Sequence, residues 1–364
     1  MIISRLGRTV VVAAAAAVLL SSCASNEGGA AADSGSSAST LTGTLTGIGA
    51  SSQGSAQEAW VAAFQTANPD VTVNYDPQGS GAGREQFIAG AADFAGSDSA
   101  LSDDELTSTF ASCAPDTTAI DLPVYISPIA VVFNIEGVDE LNLDASTIAK
   151  IFSGAITTWN DPAIAALNAD VTLPSTPITA VHRSDDSGTT KNFTDYLGKV
   201  APSDWAEKAA DTFPFQSGEG AQGTSGVIDA VKNGTGTIGY ADASKAGDLG
   251  VAKIKVGDEF VEYSAEAAAA VVEESPLVEG REANDIAISL DRETTDPSHY
   301  PLVLVSYAIV CSEYADADAA ALVKAYIGYI AGDEGQQEAA TSAGAAPLSA
   351  DLSAKVADAI ATIK

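Results

Sequence analysis

Short apolar or alternating runs recur along this chain with helical periods between them, and four of the intervening turns are built from Gly, Ser, Asp and Thr. That order limits the fold to the α/β class, because period-two and 3.6-residue patterns cannot share a segment. Strands are expected at 44–49, 71–75, 92–96, 122–135, 178–183, 237–241 and 302–311. Ala56, Trp60, Ala63, Phe64 and Ala67 share one helical face that stops before Pro69, a core-facing stripe. Further helices are expected at 84–91, behind the Ser102/Glu105 capping box, at 144–152 before Gly154, and at 317–330. The acidic stretch 259–282 reads as a solvated helix or a surface insertion. No repeat of 20 to 50 residues is visible, which argues against a solenoid.

At 364 residues the chain can bury two cores of ordinary size. Its 17 Lys and Arg against 49 Asp and Glu leave a formal charge of -32, which excludes nucleic acid as a partner. The same field opposes a free anion. Since distant charge is screened beyond about 8 Å, an anion would have to be held by aimed N–H groups, hydroxyls and an Arg.

Arg5 and Arg8 precede an Ala-rich apolar run, 10–20, too short to span a bilayer and of the kind that directs secretion. It ends in Leu20-Ser21-Ser22-Cys23, which resembles the bacterial lipobox. Residues 1–22 are therefore expected to be a signal peptide and Cys23 a lipidated anchor. Residues 23–42, mostly Ser, Gly and Ala, would then be a flexible tether with a reach of roughly 25 Å. The expected location is extracytoplasmic, at the plasma membrane, with that anchor as the only membrane contact. Cys113 and Cys311 are left in a compartment that permits oxidation, either as a disulfide or as two separate buried thiols. The two Cys and two His, His182 and His299, are not spaced for a metal site, and no cofactor is expected.

The four turns carry the chemistry. Gly47 to Ser52 leads from a strand through Gly and Ala into a helix, leaving orphan N–H groups. Gln78-Gly79-Ser80-Gly81-Ala82-Gly83 is a second such turn, with Ser80 offering N–H and hydroxyl. Ala92 to Asp98 is a buried-looking strand ending in a carboxylate, and Arg183-Ser184-Asp185-Asp186-Ser187-Gly188-Thr189-Thr190 brings an Arg to a hydroxyl-rich helix start. A helix N-terminus favours an anion by about 0.3–1 kcal/mol, and an Arg fork adds two parallel charge-assisted bonds. Each turn alone also reads as a tight βα connection, a flexible loop or a capped helix.

Together, in this order and spacing, the four segments resemble the phosphate-binding proteins of bacterial high-affinity phosphate ABC importers, over most of 43–364. The resemblance implies a two-lobed, type II periplasmic-binding-protein-like α/β fold, each lobe a sheet flanked by helices, joined by strands crossing near 126–129 and 299–304. Lobe I would be 43–127 with 303–364 and lobe II 128–302, which puts Cys113 and Cys311 in one lobe and favours their pairing. It implies a phosphate site of Ser51, Ser52, Ser80, Asp98, Arg183, Ser187, Gly188 and Thr189, with Asp185 pairing Arg183. Ser51 stands where the family has Thr and keeps the hydroxyl. Ser52 replaces a Phe whose position binds through its backbone N–H. A carboxylate at Asp98 accepts only, so it suits an oxyanion that still carries a proton and repels sulfate. The implied protein is a monomeric, non-enzymatic receptor handing phosphate to a permease and its ATPase.

Three other functions compete. A receptor for sulfate, molybdate or tungstate should place neutral donors where Asp98 stands. A serine hydrolase or phosphatase using Ser187 needs a base, yet His182 falls on the strand face opposite Arg183, His299 is far along the chain, and no Gly-x-Ser-x-Gly motif is present. A surface adhesin or phosphate sensor could keep the same fold.

Overall fold

The structure is a computed structural model and describes residues 41–364; the expected signal peptide, Cys23 and nearly all of the tether lie outside the described residues. The last tether residues do not read as tether, because the apolar Leu41 packs against the core just before the first strand.

The amino-terminal strands are β1 (Gly43–Gly49), β2 (Val71–Asp76), β3 (Phe94–Ser97) and β4 (Ala119–Asn134). β5 (Asn142–Leu143), β6 (Thr179–Arg183), β7 (Glu219–Ala221), β8 (Thr237–Asp242), β9 (Gly250–Val251), β10 (Lys253–Val256), β11 (Glu259–Val261) and β12 (Val303–Cys311) follow. The order β2-β1-β3-β12-β4-β8-β6-β7 forms one curled sheet; β9 pairs with β4, and β11-β10-β5 stand apart. β4 joins the two lobes. Its first part pairs with β12 as far as Pro128, and from Ile129 it pairs with β8. Every residue of β4 but Asn134 is buried, as expected of a strand covered by helices on both faces.

Helix α1 (Gly54–Ala67) buries Ala56, Trp60 and Phe64, as its apolar stripe requires, and closes at Asn68 before Pro69. The expected helix at 84–91 instead begins inside the Gly-rich turn, as α2 (Ser80–Ile88). A Cβ on Gly83 would come within 2.6 Å of Gly49 Cα and Ile48 O, so this glycine serves close packing of helix on strand rather than loop flexibility. The Ser102/Glu105 capping box forms, but α3 (Asp103–Leu106) is a single turn. Asp144 caps α4 (Ala145–Phe152), and α5 (Pro162–Leu167), α6 (Gly188–Val200) and α7 (Gly223–Asn233) complete the middle of the chain.

The acidic stretch corrects the sequence reading. It contains β11 and helix α8 (Ala265–Glu274), whose Ala268, Val271 and Val272 are buried while Glu266, Glu273 and Glu274 face out. An apolar face under the charges makes it part of the packed body rather than an insertion. Residues 276–290 then run back to β4. Arg281 meets Asp121 at 3.3 Å and Asp285 at 2.9 Å, and Asp121 N–H donates to Asp285 Oδ1. Helices α9 (Ala317–Ala331), α10 (Asp333–Ala343) and α11 (Ala350–Thr362) end the chain. Cys113 and Cys311 form a disulfide, with Cα atoms 5.3 Å apart.

Candidate functional site

Four backbone segments converge where β1, β3 and β6 end. Beyond β1, Ser51 and Ser52 form a short 3-10 turn leading into α1. The Ser51 hydroxyl does not stay in its own lobe: it lies 2.9 Å from the Thr224 hydroxyl at the start of α7 and accepts from Thr224 N–H. Ser52 departs from the expectation of a backbone donor alone, because its buried hydroxyl donates to Asp98 Oδ1 at 2.5 Å. A Phe could not make that bond.

Ser80 is the first residue of α2 and is buried; its hydroxyl accepts from Asp98 N–H at 3.1 Å. The first N–H groups of α2 thus sit beside the carboxylate loop. Gly81 N–H reaches Asp186 O across the cleft, a contact that docks the two Gly-rich turns on each other.

Arg183 closes β6, and its guanidinium is gripped by Asp185, with Nε to Oδ1 at 2.8 Å and Nη2 to Oδ2. Asp185 Oδ1 also accepts from Gly223 N–H at 2.9 Å, so one carboxylate ties β6 to α7. Burial pushes its carboxyl up, but the hydrogen bond and charge of Arg183 outweigh this and hold it below the ordinary range. Nη1 has no hydrogen-bond acceptor among the described residues.

Ser187 caps α6, accepting from Thr190 N–H, and still has its own O–H to give. Gly188 is needed for approach: a Cβ there would lie 2.5 Å from Ser80 Oγ and 2.8 Å from Asp98 Cβ. Thr189 donates to Asp98 Oδ2 at 2.8 Å.

Among the eight residues of the expected site, Ser52, Ser80, Gly188 and Thr189 gather on Asp98 in one buried cluster that the charge of Arg183 also reaches, while Ser51 meets Thr224 and Ser187 caps α6. Asp98 is at the centre of that cluster, 3% exposed, with Ser52 and Ser306 on Oδ1 and Thr189 on Oδ2. Burial raises its carboxyl above the usual range, while the three hydroxyls and the charge of Arg183 pull it back. A groove of about 260 Å³ reaches Asp98 past Lys191, Asn192 and Arg292.

Ser306, Asn192, Thr224 and Arg84 escaped sequence reasoning. Ser306 is the lone serine in the middle of an otherwise apolar and aromatic strand, the one local sign it offered. Asn192 lies one turn beyond Gly188 and donates to the carbonyls of Asp98 and Gly188. Arg84 bridges the lobes, 2.8 Å from Glu105 and 2.8 Å from Asp211. Neither His serves Ser187: His182 stacks on Phe213 at 4.1 Å, and His299 bonds Thr294.

Known proteins resemble this chain in sequence and in fold. The family model described as "PBP superfamily domain" matches residues 34–334. The chain is 40% identical over 290 residues to the protein of Mycobacterium leprae named phosphate-binding protein PstS 3, covering 78% of each chain. It is 37% identical over 321 residues to phosphate-binding protein PstS 2 of Mycobacterium tuberculosis, covering 86% of each. Among solved structures, a high-affinity periplasmic phosphate-binding protein (PfluDING) bound with phosphate superposes with a TM-score of 0.70 at 24% identity. That superposition covers 86% of this chain and 93% of the other, and it speaks to the fold.

Proposed function

Because the chain belongs to the PBP superfamily, and within it to the family of the PstS phosphate-binding proteins, we propose that it captures inorganic phosphate between its lobes and delivers it to an ABC importer. In this reading lobe I is 43–127 with 303–364 and lobe II is 128–302, and the protein acts as a monomer, held at the membrane by lipidated Cys23. The ligand is held by Ser51, Ser52, Ser80, Asp98, Arg183, Ser187, Gly188 and Thr189.

The observation that carries the proposal is the surrounding of buried Asp98 by hydroxyls, an Arg and two helix N-termini. Donors alone would suit any small oxyanion. A buried carboxylate among them needs a ligand oxygen that brings a proton, which phosphate does at neutral pH and sulfate does not. The Arg183 charge and the starts of α2 and α6 offset the negative field of the chain. The protein is a receptor rather than an enzyme on this account: Ser187 is the cap of α6, accepting from Thr190 N–H, and neither histidine is hydrogen bonded to it.

Calorimetric titration of the mature protein with phosphate, arsenate and sulfate at pH 6 and pH 8 tests the reading. Phosphate should bind, arsenate should compete, and sulfate should bind weakly or not at all. Equal affinity for sulfate, or hydrolysis of a phosphate ester, would overturn it.

A further inference from the structure

Behind Asp98 and Ser306 runs a line of buried polar side chains from Gln53 through Gln57 to Tyr326. Tyr326 on α9 donates to Gln57 Oε1 at 2.7 Å, and Gln57 Nε2 donates to Gln53 Oε1 at 2.8 Å. Gln53 Nε2 donates to Ser306 Oγ at 2.7 Å, and Ser306 donates to Asp98 Oδ1 at 2.7 Å. All five residues are buried, and a buried polar group is retained at a cost unless it is satisfied.

The direction of this line does not depend on how the amides were oriented. Gln53 also faces the carbonyl oxygen of Tyr307 at 3.2 Å. A carbonyl only accepts, so the Gln53 atom on that side must be the amide nitrogen. Its oxygen then faces Gln57, which must donate, and the Gln57 oxygen faces Tyr326, which must donate too. At the other end Ser306 receives the Gln53 proton and has its own to give, with Asp98 Oδ1 as its acceptor.

The consequence falls on the two oxygens of Asp98. Oδ1 receives both Ser52 and Ser306, which fills its two lone pairs. Oδ2 receives Thr189 and keeps a lone pair with no donor among the described residues. We propose that Ser306, oriented by Gln53, Gln57 and Tyr326, is a positioning residue for ligand selectivity: it saturates Oδ1, keeps Asp98 an acceptor, and leaves Oδ2 to take the proton of the oxyanion. The inference rests on the phosphate reading above and deepens it.

The test uses the mature chain with Ser306→Ala, Ser306→Thr and Gln53→Leu, the last acting one step behind the carboxylate in case the first folds poorly. Inorganic phosphate and sulfate are titrated from pH 5 to pH 8.5, and the Asp98 carboxyl is followed by carbon-13 NMR. Loss of a hydrogen bond to a charged group should weaken phosphate binding roughly ten-fold or more in S306A. It should also move the Asp98 titration upward, shift the acid-side loss of phosphate binding to higher pH, and narrow the discrimination against sulfate. Q53L should move the same readouts in the same direction by less, and S306T should restore them. An unmoved Asp98 titration in S306A, or a wild-type pH profile and selectivity in it, would overturn the proposal. Wild-type protein that fails to bind phosphate would instead sink the functional reading, while the NMR titration still judges the relay.

Discussion

Thr189, the second residue of α6, donates its hydroxyl to Asp98 Oδ2 at 2.8 Å, so a helix of one lobe is bonded to the carboxylate that ends a strand of the other. Ser51 with Thr224, Gly81 with Asp186 and Arg84 with Asp211 add three more cross-cleft contacts around that bond.

Asp98→Asn keeps the shape of the side chain but turns one acceptor oxygen into a donor. Phosphate affinity should fall roughly ten-fold or more, and sulfate should gain on it, since an unprotonated oxygen then meets an N–H. Competition calorimetry reads the ratio, and unchanged selectivity contradicts the role given to Asp98. In the wild type, binding should weaken as pH falls through the raised pKa of this carboxyl, above where an ordinary Asp would titrate.

Asp185→Ala releases the Nε–Nη2 edge of the Arg183 guanidinium and the Gly223 N–H. Without a partner to orient it, the guanidinium loses part of its bidentate geometry toward an anion. We expect phosphate affinity to drop about ten-fold, mostly through faster dissociation measured by stopped flow.

Reducing the Cys113–Cys311 bond, or replacing both residues with Ser, frees a covalent loop of sequence separation 198. The unfolded chain then regains entropy, and stability should fall by about 2–5 kcal/mol. Urea unfolding with and without reductant measures this. Phosphate affinity at 25 °C should stay nearly the same, because neither Cys lies among the site residues.

Asp121 is fully buried beside Asp285, and burial, then the neighbouring carboxylate, pushes its carboxyl up to about 8; burial also pushes Asp242 up to about 6. A folded-state pKa above the unfolded one means that the native protein holds protons the unfolded chain has released. Their contribution to stability is greatest near pH 4 and shrinks as pH rises toward 8. Asp121→Asn should remove the larger part of that decline, because burial beside a second carboxylate gives Asp121 the greater upward shift. Calorimetric melting at pH 5, 6.5 and 8 checks the slope.

Much of the architecture could be read locally. The ends of β1 and β6, the cap of Ser187 on α6, the capping box of Ser102 and the stop before Pro69 are each decided by residues a few positions apart. Where two local signals competed, reading was less sure. Glycines in 79–83 suggested a loop, yet Gly79 is the N-cap and Gly81 and Gly83, the latter packed on Gly49, lie in the first turn of α2. Charge in 259–282 suggested a solvated piece, yet the apolar face of α8 buries it.

The succession of strands and helices along the chain, most helix caps and the placing of hydroxyls, an Arg and a carboxylate at turn positions were determined by the sequence itself, because backbone dihedrals and caps depend on near neighbours. What stands behind those groups was decided only by the tertiary structure. Ser306 reaches Asp98 over 208 residues, and Arg281 joins Asp121 over 160. No periodicity encodes such meetings. They arise when β12 is laid against β3 and β4, so that a buried hydroxyl must find the one acceptor within reach.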